Sequence, residues 1–519
     1  MAGSHSEGEF DVVVIGSGMG GMTTAAALSR FNHKVLLLEQ APTIGGLTHS
    51  FSRGDFTWDV GLHYCGTFGP GQQSRRILDW LSGSSIDFHP IGTVYDTLHF
   101  PHNVDIQVAR PAAAYMMELK ERFPGHDQEI DAYFEAIYAA EETVHMIAAE
   151  RSMPEPLMAA HRWWNRKKID HWCGRTTREV IDEIISDPKL AAVLSAQWGT
   201  YGGVPKEASF AVHAKVVAHY LEGAAYPVGG AASIAQGLVP VIKAAGGEVR
   251  ASTPVESILI RDGSAIGVRT TTGEEIHAPV IVSAAGARET VQRMLPEEIR
   301  QSDWALELGS FHPAICHFEM YLGFEGEIAR YGATPSNHWF YETWETHGSL
   351  WIDVNDPILA MFISFPSLKD AAHDPGPLHE HTGDLLVLAD WQTVAEFADG
   401  GAEARPADWA AFKQKVESKL MTFFAQKFPA LMPLLTYKEL GTPLATAQFT
   451  RHDKGGFYGV ETTPRRMLSD AFRASTPVPN LYLTGQDVMI PGIAGALAGG
   501  MLGAAAIDPR VYSKLTYND

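Results

Sequence analysis

The chain is 519 residues long, 45% hydrophobic and 19% charged, a globular composition with room for two or three domains. Its net charge of −21, from 40 Lys and Arg against 61 Asp and Glu, argues against nucleic acid as a partner. The three cysteines, Cys65, Cys173 and Cys316, show no metal-ligand spacing and make a disulfide framework unlikely, which fits a reducing compartment.

Met1–Phe10 is short and polar and lacks the apolar core of a secretory signal. The longest small-apolar run, Ala494–Ile507, is rich in glycine and too short to span a bilayer. The expectation is a cytoplasmic protein. The most informative stretch follows at once, from Asp11 to Glu39. Val12–Ile15 reads as a buried strand, Gly16, Gly18 and Gly21 fill a G-x-G-x-x-G pattern, Met22–Phe31 reads as a helix, and Val35–Leu38 is a second strand ending at Glu39. In such a unit the first glycine allows a sharp turn, the second lets backbone approach a pyrophosphate, and the third lets helix pack on sheet. The helix N-terminus offers free N–H groups to phosphate. Glu39 lies near the roughly 20-residue spacing of the acid that bonds a ribose diol. The pattern predicts a dinucleotide site for either NAD or FAD.

Gly45-Gly46 allows positive φ and close contact with a ligand. Phe56–Gly66 holds His63, Tyr64 and Cys65. His63 and Tyr64 are candidate proton donors or acceptors, or a buried pair beside a cofactor; Cys65 reads as an inert buried thiol. Residues 110–220 read as mostly helical, with Ala112–Phe123 and Asp127–Ala149 at helical spacing. Within them, Trp163 and Trp164 stand beside Arg162, Arg166, Lys167 and Lys168. That pattern suits either a membrane–water interface or a solvated basic face over two core tryptophans. A helix at Ala231–Ala245 and strands at Glu248–Ala251, Pro254–Arg261, Gly267–Thr271 and Ile276–Ser283 return to α/β character.

From about 305 to 475, strands at Cys316–Gly323, Ala360–Phe365 and Leu385–Asp390 lack intervening helices, which predicts an antiparallel sheet roofing a cavity. Its expected apolar wall is Phe318, Tyr321, Trp339, Phe340, Phe362 and Phe365. Trp409–Phe428 reads as a helix capped by Asp408. A last strand ends in Gly485-Gln486-Asp487, before Gly492-Ile493-Ala494 opens a small-residue helix whose N–H groups can face a cofactor.

Taken together, VVVIGSGMGGMTTAAAL, LEQAPTIGG, FTWDVGLHYCG, YPVGGAASIAQGL, GGEVRASTPVESI, GTPLATAQFT with GGFYG, and NLYLTGQDVMIPGIAGAL resemble the FAD-dependent phytoene desaturase group, within it the carotenoid isomerase and retinol saturase branch. The resemblance runs from residue 11 to 507; Cys65 and Ala314–His317 depart from it. It implies an α/β fold: a Rossmann-type FAD-binding domain with an inserted α+β substrate domain. The cofactor segments would be 1–90, 225–304 and 476–519, and the substrate segments 91–224, mostly helical, and 305–475, a mixed sheet. It implies FAD held by Gly16, Gly18, Gly21 and Glu39, with Gly45, Gly46 and His63 near the flavin and Val255 beside the adenine. Gly485, Asp487, Ile493 and Ala494 would serve the flavin-bearing half, and Phe457-Tyr458-Gly459 would line the cavity. The implied activity is saturation, desaturation or cis–trans isomerisation of a lipophilic isoprenoid or lipid, with His63, Tyr64 or Tyr458 moving a proton. A flavin amine oxidase and a non-catalytic lipid-binding escort like the Rab GDP-dissociation inhibitors stand as alternatives.

Overall fold

The Val12–Ile15 and Val35–Leu38 strands are buried at every residue, as strands covered on both faces must be. In the structure, a computed structural model describing residues 9–153, 155–346 and 350–515, they lie in a five-stranded sheet. The order is Glu248–Arg250, Val35–Leu38, Val12–Ile15, Val280–Ser283, Leu481–Leu483, every pair parallel. This is the expected Rossmann-type sheet, and it draws strands from three distant parts of the chain. Most of the polar Met1–Phe10 segment lies outside the described residues.

The first helix spans Met19–Ser29 and is buried throughout. It starts three residues before the expected Met22, because Gly20 and Gly21 serve as packing residues inside its first turn. A Cβ on Gly21 would stand 2.0 Å from the Gly16 carbonyl oxygen, and one on Gly20 2.4 Å from the Gly485 Cα. The Ile493–Ile507 helix crosses at the same point. There a Cβ on Gly499 would meet the Gly485 oxygen at 2.0 Å, and one on Gly500 the Gly20 oxygen at 2.7 Å.

The second sheet has seven strands. Their order is Leu435–Gly441, Cys316–Glu325, Glu380–Ala389, Ala360–Ser364, Asn337–Tyr341, Val94–Phe100, Val104–Ala109. All neighbours run antiparallel except Asn337–Tyr341 and Val94–Phe100, which are parallel. The two strands from 94 to 109 were not anticipated in a stretch read as mostly helical. The helices there are real: Ala112–Arg122, Asp127–Ser152, Glu155–Cys173 and Phe210–Leu221 among them.

Two further expectations change. The predicted Ile276–Ser283 strand divides into Glu275–His277, which closes an antiparallel meander, and Val280–Ser283, which enters the parallel sheet. Pro279, which has no N–H to continue a ladder, stands between them. The long helix is Pro406–Lys427, with Arg405 at its cap and Pro406 in its first turn. Asp408 is therefore not the cap but a first-turn acid, where it complements the helix dipole. Among the described residues no helix is long and apolar enough to cross a membrane.

Candidate functional site

The two sheets enclose a cavity of about 1190 Å³. One end is made of backbone. Gly16, Gly18, Glu39, Gly46, Val255, Gly485, Asp487, Gly492 and Ile493 all line it. Gly16 has φ +94° and Gly18 has open space where a Cβ would point. Both helices that begin here, Met19–Ser29 and Ile493–Ile507, have a glycine cap, no side-chain cap bond and no acid in the first turn. Their free N–H groups thus face the cavity, an arrangement suited to an anionic ligand. Gly45 and Gly46 have φ +129° and +56°, and a Cβ on Gly46 would stand 2.8 Å from the Gly18 Cα, so this turn packs directly on the first. Gly21 does not line the cavity; it holds the helix against the turn.

The carboxylate of Glu39 accepts bonds from Ser17 N at 2.8 Å, Ser17 Oγ at 2.6 Å and Ala41 N at 2.8 Å. Of its roughly four acceptor positions, one stays open. Asp487, expected to serve the flavin-bearing half, is engaged by the protein itself: its oxygens accept from Ala287 N at 2.7 Å and Val460 N at 3.3 Å, tying three loops together. Ala494 sits one residue into its helix and does not line the cavity. The residues present fit a dinucleotide: a glycine cradle, two uncapped helix ends and a carboxylate stand in sequence along one wall.

The other end is roofed by the seven-stranded sheet. Register brings Trp339, Phe362, Leu386 and Glu319 into one row across four strands. All four line the cavity, and the Trp339 and Phe362 rings meet at 4.7 Å between centroids. Successive strand residues face opposite sides. Of the six aromatic residues expected to form this wall, Tyr321, Trp339 and Phe362 do so; Phe318, Phe340 and Phe365 point the other way, into a separate core under the Pro406–Lys427 helix.

His63 lies where roof and cradle meet, its ring 5.0 Å from that of Phe362. It faces two buried carboxylates that had not been singled out. Nδ1 is 3.5 Å from Asp384 and Nε2 is 4.0 Å from Glu319. Glu319 also accepts from the Tyr321 hydroxyl at 2.8 Å. Behind them Lys369 is fully buried and donates to the His63 carbonyl at 2.9 Å, to Ser364 Oγ at 2.6 Å and to Asn337. Burial pulls the Lys369 amine down to about 7. Burial also pushes the Asp96 carboxyl up to about 6, although Asn337, Gln197 and Tyr64 all donate to it. Asp384 is held above the usual carboxylate range by burial and by Glu319 beside it. The sequence signal for this cluster was weak: Asp96, Glu319 and Asp384 lie in strands that carry other polar residues as well, among them Thr97, His317 and Thr382.

The other proton-transfer candidates separate clearly. The Tyr64 phenol is committed to Asp96 at 3.0 Å, and burial followed by that carboxyl raises it far above its normal value. Tyr458 lines the cavity beside Phe457, its hydroxyl making no hydrogen bond among the described residues. The Cys65 thiol is buried and driven upward by desolvation, as an inert thiol is.

A family model described as flavin containing amine oxidoreductase matches residues 19–312, more than half of the chain. The chain belongs to that family. It is an FAD-dependent oxidoreductase of the branch that holds the retinol reductases and carotenoid isomerases. The all-trans-retinol 13,14-reductase of Danio rerio is 31% identical over 95% of this chain and 85% of its own length. The chloroplastic prolycopene isomerase of Arabidopsis thaliana is 25% identical, covering 95% and 82%. Among solved structures, an oxidoreductase from Methanosarcina mazei shares the fold with a TM-score of 0.63 at 16% identity, over 94% of this chain and 98% of that one.

Because the Asp384 carboxyl is raised in the folded state, its contribution to stability is full at low pH and lost as pH rises through the folded value. An Asp384→Asn variant carries no such loss. Its melting temperature relative to the parent is expected to rise between pH 4 and pH 8; a difference that stays flat with pH would show that the Asp384 carboxyl is not raised in the folded state.

Proposed function

We propose that the protein acts on carbon–carbon double bonds of a lipophilic polyene, an isoprenoid or another lipid, with saturation favoured over desaturation and isomerisation. The observation that carries this is the roof row of Trp339, Phe362 and Leu386 running to Glu319 and His63. A hydrocarbon gains about 0.8 kcal/mol for each CH₂ removed from water against such a wall. A small polar amine gains little. The retinol reductases and prolycopene isomerase that align along nearly the whole chain favour a polyene substrate, and the higher identity of the reductase, 31% against 25%, favours saturation.

In this reading segments 1–90, 225–304 and 476–519 hold the cofactor, and 91–224 with 305–475 cover the substrate. Gly16, Gly18 and the start of the Met19–Ser29 helix receive the pyrophosphate, Glu39 the adenosine ribose, and Val255 the adenine. Gly45, Gly46, Gly485, Ile493 and the N–H groups beside Ala494 serve the flavin-bearing half. When bound, FAD supplies two-electron chemistry at the substrate's double bond. The chain's own residues exclude water through the aromatic roof, align the polyene along the row, and hold a proton at His63, with the Tyr458 hydroxyl as a second proton-bearing group within the cavity. Gly21 and Asp487 act one step back, by fixing the turns that do the binding.

The Trp163-Trp164 pair is a membrane contact in this reading. Both rings are exposed, at 76% and 81%, which removes the alternative of two core tryptophans. Arg162 turns inward to Glu150 and Asp470, and Lys168 pairs with Glu142 at 2.7 Å. Arg166 and Lys167 remain exposed beside the tryptophans to meet headgroups. A lipophilic substrate has reason to be drawn from a lipid surface.

Three outcomes are expected. Gly18→Val should leave the apoprotein folded, since its side chain enters open space, while purified protein loses its flavin absorbance. Full flavin occupancy in that variant would remove the pyrophosphate assignment. Replacing Trp163 and Trp164 together with Ala should cut liposome co-sedimentation and leave flavin content unchanged; equal sedimentation would reject the contact. Anaerobic mixing with long polyenes should convert them, with reduced enzyme adding two hydrogens to the product mass. Rapid flavin reduction by simple amines, with no response to polyenes, would replace the reading by an amine oxidase.

A further inference from the structure

Glu319 and Asp384 stand on neighbouring strands, Glu319 opposite Leu386 and Asp384 opposite Tyr321. They therefore share one face of the sheet, two residues apart on the diagonal. Each side chain is only 1% exposed. Among the described residues, Asp384 finds no hydrogen bond for either oxygen, Glu319 none for Oε1, and His63 none for Nδ1, although all four atoms are buried. A buried polar atom left unbonded costs about 1–3 kcal/mol, and such groups in a native fold call for an explanation. The imidazole lies between the two acids, one ring nitrogen toward each.

The surrounding charges do not balance. Asp59 acts on His63 from below, held by Ser50, Tyr226 and Ala231 N. Asp96 is buried nearby and acts on Lys369. His317 lies 3.5 Å from the second oxygen of Glu319, which also takes the Tyr321 hydroxyl, and Tyr226 faces Asp384. Lys369 is the buried lysine among them, and its amine is spent on neutral oxygens. Four carboxyls around one lysine and two histidines leave an excess of negative charge out of water, which bound protons relieve. Of the central three, His63 and Glu319 line the cavity and Asp384 does not.

We propose that Glu319 and Asp384 are positioning residues that hold His63 as an imidazolium at the cavity wall, and that this imidazolium gives the substrate carbon its proton. The inference rests on the reading of the reaction as reduction of a polyene. In that reduction the π bond breaks, one carbon takes a hydride from reduced FAD, and the other takes a proton from a His63 N–H, whose bonding pair stays on nitrogen. The substrate gains two electrons and the flavin loses two. Neutral His63 recovers its proton from solvent by way of the flanking carboxyls.

The test uses flavin-loaded protein with ¹³C-labelled histidine, comparing the parent with Asp384→Asn and Glu319→Gln. The His63 signal is identified by its loss in His63→Asn, and unchanged flavin absorbance checks that each variant is folded. Without substrate, each amide variant is expected to lower the His63 titration midpoint by about one pKa unit or more, since an opposite charge at this range shifts a group by about 1–3. With reduced enzyme and a polyene, the alkaline limb of the rate profile should move down by the same amount. If the parent converts polyenes and both midpoint and limb stay in place in the two variants, the proposal fails. If the variants shift the midpoint but the parent converts no polyene at any pH, the reaction class fails and takes the donor role with it. Stoichiometric binding of zinc or manganese to the parent, abolished by Asp384→Asn, would overturn the proposal in favour of a cation site.

Discussion

The approach of three backbones at Gly485 is the constraint on which the cofactor end depends. Gly20 presses on Gly485 from one helix and Gly499 from the other, each at a distance that leaves no room for a Cβ. The crossing is fixed by hydrogen bonds from Thr24 Oγ1, which lies 2.7 Å from Thr484 Oγ1 and donates to the Gly500 carbonyl at 2.9 Å. Because the helices touch there, their N-termini open on the same cavity, and two positive dipole ends converge along one wall. Separate them by the width of a methyl group and the wall opens.

The substrate end obeys a different rule. A strand shows alternate residues to opposite sides, so the roof's cavity face and its hidden face are written into the same sequence. Phe318, Phe340 and Phe365 build a core on one side, while Trp339, Phe362 and Leu386 face the ligand space on the other. His317 and Glu319 fall on the cavity side of this division, whereas His338 stacks on Phe340 on the hidden side. Two buried guanidiniums stiffen the boundary between the two ends. Arg151 donates to the carbonyls of Val488 and Met489, and Arg466 to that of Gln486, so the loop carrying Gly485 and Asp487 is clamped from behind.

The cofactor half was legible because its signals are local. Strand, turn, helix, strand and acid lie within one 30-residue window, and Gly16, Gly18, Glu39 and Gly46 reach the cavity as read. The helix start slipped because Gly20 and Gly21 look like loop until their packing partners, Gly485 for the one and the Gly16 carbonyl with Ala284 for the other, are known. The substrate half was legible as strands but not as faces. Whether Phe340 or Trp339 meets the ligand depends on register with Phe362, and register is a long-range property. For the same reason His63 could be picked out and Asp384 could not: the histidine sits in a dense local motif, whereas the acid is one of several polar residues in its strand and is marked only by its neighbours across the sheet. The strands from 94 to 109 form a hairpin that joins its sheet only through the distant Asn337–Tyr341, so the local stretch does not show the sheet it belongs to.

The parallel sheet's outer strand, Leu481–Leu483, and the helix that closes the cradle, Ile493–Ile507, come some 440 residues or more after the glycine fingerprint that they complete. A nascent polypeptide emerging in order can fold its helical block and assemble most of the roof while the cradle still lacks one wall. The dinucleotide pocket is therefore incomplete until the segment from Leu481 to Ile507 has been made, and FAD capture waits on that segment. A polypeptide lacking that segment would keep its glycine fingerprint intact and still have nowhere to seat a flavin.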